Sequence, residues 1–187
     1  MRHQVLWLTL AACLSSGCGD SPDTGADSGW LEASWTGADT GKLEARTTAE
    51  WCGERGLLEI HAVHGDTGVA MVLYPVDTIE SGIYRVVHPD RADTMAPSAG
   101  LALRVFATSA MQGYQGDSGT VVLERGESGE LSGTLEARAR SVVNGQQLTL
   151  TGRMGGLTIV PQSRGCGPEA TAEPGDTNTE PAGTDVD

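Results

Sequence analysis

The sequence is poor in aromatics, poor in bases and, past its first 18 residues, without a long apolar run. Aromatic residues make up 4% of the 187, with a single phenylalanine, and 12 lysines and arginines stand against 25 acids, for a formal charge of −13. Nucleic-acid binding is excluded as an expectation, because phosphate contacts need clustered cations. No later segment approaches the roughly 18 apolar residues that cross a bilayer as a helix. The shortage of aromatics also argues against an integral outer-membrane barrel, which needs aromatic girdles at both interfaces. The four cysteines, Cys13, Cys18, Cys52 and Cys166, are too few and too scattered for a zinc cluster, so neither metal nor cofactor is expected.

What is present begins with an address. Arg2 is followed by an apolar stretch from Val5 to Leu14, and the small residues Ser15, Ser16 and Gly17 stand directly before Cys18. That is the layout of an export signal. The cysteine at its end resembles the lipobox of bacterial lipoproteins, and the resemblance covers residues 1–18. It implies that the cysteine is lipidated and becomes the mature N-terminus, so that the exported chain is held on a membrane of the cell envelope, on its periplasmic or surface side. Two registers compete. Leu10-Ala11-Ala12-Cys13 carries the usual lipobox letters, whereas Cys18 leaves a longer apolar core. Cleavage at Cys18 also removes Cys13, leaving Cys52 and Cys166 as an even pair for a disulfide in an oxidising compartment. Cys18 is therefore the expected lipidation site, with Cys13 as the alternative.

Composition divides the rest of the chain. Residues 19–29 contain three aspartates and no large apolar side chain, and cannot repay the entropy of ordering, so they read as a disordered tether. Residues 167–187 hold six acids, no base and one sizeable aliphatic, Val186, and read as a disordered acidic tail. Between them, residues 30–166 carry 16 acids and 11 bases, so most of the chain's negative charge lies on its flanks.

Inside that domain the apolar period is two. Leu43, Ala45, Thr47, Ala49 and Trp51 alternate with Glu44, Arg46, Thr48 and Glu50, and Leu131 to Arg140 repeats the pattern. Further strands are expected at 30–36, 57–64, 69–75, 82–88, 101–108, 119–125 and 148–151. Turn residues separate them, above all Asn144-Gly145, a strong two-residue hairpin signal. The fold class is all-β, an antiparallel meander of eight to ten strands forming a small barrel or a sandwich. A Cys52–Cys166 disulfide adds a constraint, since it must bring the end of the second strand to the end of the chain. Either 161–165 folds back, or Gly155-Gly156 turns the chain and makes 157–160 a short extra strand, the preferred reading. Closing more than a hundred residues, the bond would stabilise by about 4 kcal/mol in chain-entropy terms.

Candidate chemistry is sparse. Gly116-Asp117-Ser118-Gly119 matches the tetrapeptide around a serine-protease nucleophile, but no histidine stands in the matching context, and the segment reads as a turn. Asp-Thr-Gly occurs at 23, 39 and 66, each time without the apolar strand that aspartic proteases place before it, and reads as turn chemistry. His61 and His64 fall on opposite faces of one strand. His88, with Asp90 and Asp93, opens a solvated loop. Asp176 to Glu180 echoes a calcium loop but has Pro181 where glycine is required. Trp35 and Trp51 share the inward parity of their strands, whereas Trp30 falls on the opposite face. Tyr114, in the glycine-rich connection 109–118, is expected to be solvent-accessible and, with Trp30, to mark a contact surface.

The expected function is that of a non-enzymatic, membrane-anchored envelope lipoprotein whose β domain binds a protein partner or a small apolar ligand. An enzyme with an unrecognised site and a purely structural envelope component are the alternatives. Barrels of about eight strands can enclose one small ligand, so an empty apolar interior would favour carriage and a packed one partner binding.

Overall fold

The computed structural model describes residues 29–107 and 110–162. Ten strands form one sheet that closes on itself: β1 (Gly29–Gly37), β2 (Gly41–Cys52), β3 (Leu57–His64), β4 (Thr67–Tyr74), β5 (Gly82–Val86), β6 (Ser98–Ala107), β7 (Ala110–Arg125), β8 (Leu131–Ser141), β9 (Gln147–Leu157) and β10 (Ile159–Pro161). One short helix, α1 (Pro89–Ala92), lies between β5 and β6. Eight strands make the ring by antiparallel pairing in the order β1-β2-β3-β4-β6-β7-β8-β9, and β9 returns to β1. The molecule is thus a barrel and not a sandwich. Closure removes the unpaired edges that an open sheet would expose.

Two strands depart from the meander. β5 wedges between β6 and β7 at one end of the ring, parallel to the first and antiparallel to the second. β10 runs parallel to β2, against Ala49 to Trp51, beyond the point where β1 begins. The short extra strand expected near the C-terminus therefore exists, but Gly155-Gly156 does not reverse the chain. β9 and β10 point the same way, and Gly156, at φ +63°, only swings the backbone from β1 to β2. Both described chain ends leave from this terminal rim, together with the 75–97 connection; the hairpins at 38–40, 65–66 and 142–145 form the opposite, hairpin rim.

The interior follows from the two-residue period. Leu31, Ala33 and Trp35 on β1, Ile60 and Ala62 on β3, Met71 and Leu73 on β4, Leu101 and Leu103 on β6, Val121 and Leu123 on β7 and Leu148 and Leu150 on β9 all point inward and are buried. They form one continuous cluster that fills the barrel, as an eight-stranded ring of this size allows. Trp51 packs against that cluster but is only partly buried.

Three expectations about connections are corrected. The segment 109–118 is not a loop: from Ala110 onward it is the first half of β7, paired with β6 on one side and, from Tyr114, with β8 on the other. Its glycines serve close approach instead of turning. A Cβ at Gly116 would stand 2.8 Å from both Leu101 Cβ and Val86 Cγ1, where β5 is wedged in. Gly116 to Gly119 is likewise no turn but a bulge in the β7–β8 ladder, with Gly119 at φ +133° against the Glu136 carbonyl. Finally, Asn144-Gly145 sits in a four-residue loop, Val142 to Gly145, closed by the Ser141 amide donating to the Gln146 carbonyl at 2.8 Å.

Candidate functional site

Tyr114, expected to be exposed, is buried. It faces inward between Leu103 and Ser141, and its hydroxyl donates to Gln112 Oε1 at 2.9 Å. Burial, with a smaller contribution from Asp39, pushes its phenol up from the ordinary value. The physical reason is parity: once 110–118 is a strand, the only aromatic in it takes the inward position.

Trp30 does lie outward, 44% exposed. Its ring covers Gly155, whose missing side chain leaves room for it, since a Cβ there would sit 3.0 Å from the indole. Arg153 stacks above the indole with its guanidinium carbon 5.8 Å from the ring centroid, and its Nε and Nη2 reach Glu32 Oε2 at 2.7 and 2.6 Å. Aromatic, cation and carboxylate thus satisfy one another.

The singled-out catalytic and metal motifs are not brought together. Ser118 lies beside Arg138 on β8 and makes no hydrogen bond to a histidine among the described residues, while Asp117, pushed out by the bulge, pairs with Arg140 at 3.6 Å. Asp39 holds the β1–β2 hairpin through the Thr40 amide at 2.7 Å, and Asp66 lies in the β3–β4 turn. His61 faces Glu59 at 3.3 Å, and His64 Nδ1 approaches the Glu44 carbonyl at 3.2 Å. His88 caps α1, accepting from the Asp90 amide. Among the described residues no group of three or more His, Cys, Asp or Glu is placed to hold a metal. Cys52 is fully buried and disulfide-bonded. Cys166, Cys18, Cys13, the Asp-Thr-Gly at 23, the tether and the acidic tail lie outside the described residues.

The arrangement that sequence reasoning missed is on the opposite outer wall. In one cross-strand row stand Val63 on β3, Gly68 on β4, Arg104 on β6, Gly113 on β7 and then Val142, whose amide donates to the Gly113 carbonyl at 3.1 Å. The next row holds His61, Ala70, Ala102 and Gln115. Glycines and alanines leave a groove of about 470 Å³ floored by backbone and Cβ atoms, with Val63 at one end and Val142 and Met111 at the other. Those three side chains are 57%, 58% and 47% exposed. Arg104 stands in the middle with a glycine on each side. It is exposed, and its side chain has no hydrogen bond or ion pair among the described residues. Nothing in the sequence flagged this: Gly68 was read as part of a turn, Gly113 as part of a loop, and alanines carry no signal on an outward face.

No protein-family model matches the chain, and neither curated proteins nor solved structures supply a match.

Proposed function

We propose that the chain is a lipid-anchored lipoprotein of the bacterial envelope whose barrel is a non-catalytic binding module, and that binding takes place on the outer wall and not inside. The packed interior carries this reading. Leucine, methionine, tyrosine and tryptophan side chains occupy the space in which a carrier barrel would hold its ligand. The apolar groove beside the hairpin rim is the surface left to recognise a partner or ligand.

The leader motif supports anchoring through Cys18, with Cys13 as the alternative. In this reading the Cys52–Cys166 disulfide clamps the terminal rim. The Gln162 amide donates to the Trp51 carbonyl at 2.9 Å, which brings the chain beside Cys52 four residues before Cys166. Because β1 begins at the terminal rim, the hairpin rim and its groove lie at the other end of the barrel from the first described residue.

A photo-crosslinking residue at Met111, compared with one at Ile83, tests the outer-wall reading in envelope preparations. Both side chains are exposed, but Ile83 lies on β5, outside the groove. Adducts at Met111 and not at Ile83 are expected; equal labelling at both would remove the groove from the account. Detergent partitioning of the wild type and Cys18→Ser tests the anchor. Loss of partitioning only in Cys13→Ser would move the site.

A further inference from the structure

The groove differs in charge from the rest of the wall. Its lining contains one arginine, one histidine and no carboxylate. Four other clefts among the described residues each carry at least one: Glu32 and Glu44 in the two around β1 and β2, Asp77 and Glu80 below β5, and Glu136 beside Arg138. In a chain of net charge −13, a lone cation among apolar atoms is an unusual neighbour for water alone. A guanidinium presents a rigid fork of donors that matches a carboxylate with two parallel hydrogen bonds. Glycines on both sides of Arg104 leave that fork clear of cross-strand side chains.

We infer that the groove over β4, β6 and β7 binds an alkyl carboxylate, the acid group on Arg104 and the hydrocarbon chain along the floor past Gly113 toward Met111 and Val142. This rests on the outer-wall reading and names its ligand class. From Arg104 on β6 to Val142 the groove crosses two interstrand spacings, about 10 Å at about 4.8 Å each, which takes most of an extended ten-carbon chain. Its volume lies within the range of small-ligand sites. The other occupants fit less well. The acidic tail would satisfy Arg104, but it has one sizeable aliphatic, Val186, with which to cover an apolar floor. A second copy placed groove to groove would set Arg104 against Arg104 with no carboxylate from either lining.

Calorimetric titration of the full chain with decanoate and with 1-decanol tests the inference. Decanoate is expected to bind saturably and roughly tenfold more tightly than the alcohol, the margin of a charge-assisted bidentate contact. Arg104→Gln should erase that margin while leaving decanol affinity in place. Gly113→Val should remove binding of both, since its Cβ has room, 3.6 Å from Val142 Cγ2, and its branches fill the floor. Equal affinity for acid and alcohol, or an unchanged margin in Arg104→Gln, would overturn the inference. Binding seen only after removal of residues 167–187 would do the same by making the tail the occupant. If decanoate fails to bind while Met111 still crosslinks selectively, the ligand class falls and the outer-wall reading stands; if both fail, both fall.

Discussion

Two arginines on the outer wall each have a glycine nearby and are treated in opposite ways. Around Arg153, the glycine at 155 is covered by Trp30, the guanidinium lies over the indole, and Glu32 takes up its donors. Around Arg104, the glycine at 68 lies under Val63 and the one at 113 beside Val142, neither under an aromatic ring, and among the described residues no acid pairs with the guanidinium. The first arc of the barrel spends its exposed aromatic and charges on itself; the second leaves a guanidinium beside small residues without a partner among the described residues. A wall that is self-complementary in one place and open in another points to the open place as the one facing a ligand, because unpaired charge beside bare apolar surface gains more from a partner than a closed ion pair does.

That contrast can be broken or sharpened by substitution. The largest effect is expected where both arcs share the interior: Leu150→Ala should destabilise by about 2–5 kcal/mol in denaturant unfolding, because Leu150 is fully buried and its loss leaves a cavity. A cost well under 1 kcal/mol would mean that the interior is not packed. Next, glycines in the two roles should separate. Gly119→Ala forces a side chain into φ +133° against the Glu136 carbonyl and should cost roughly 1–3 kcal/mol. Gly113→Ala, with ordinary contact at 3.6 Å, should be neutral or stabilising by up to about 1 kcal/mol. Smaller again, Trp30→Ala should cost about 1 kcal/mol through lost cover of Gly155 and lost cation–π contact. Arg153→Gln should cost a few tenths and lose even that at high salt, since its pair with Glu32 is exposed. Arg104→Gln should change stability least, within about 0.5 kcal/mol, having no partner to lose. A larger loss there than at Arg153 would reverse the comparison.

Much of the barrel was legible because a half-buried strand has a period of two. Trp35 was placed inward and Trp30 outward by parity alone, and β3 was read at its observed bounds, Leu57–His64. What escaped depended on contacts between strands distant in sequence. β5 intrudes between β6 and β7, so Gly116 must be small to admit Val86; the sequence shows only a glycine, and glycines were read as turns. That misreading hid half of β7 and with it the burial of Tyr114. Ring closure through β1 and β9 joins the first strand to the last of the meander and leaves no local trace. The groove was invisible for the same reason, its floor being made of glycines and alanines brought into register from three strands. Outward parity did foretell the exposure of Trp30, but not that Arg153 and Gly155 would close around it.

The most direct test of the central claim is residue-by-residue mapping of backbone amide shifts as decanoate is added to the full chain. The account predicts saturable changes confined to the outer row from Val63 through Gly68, Arg104 and Gly113 to Val142, with the amides around Leu150, Met71 and Trp30 unmoved. Shifts centred on the interior residues, or on Trp30 and Arg153, would contradict it and move binding into the barrel or onto the arc described here as closed.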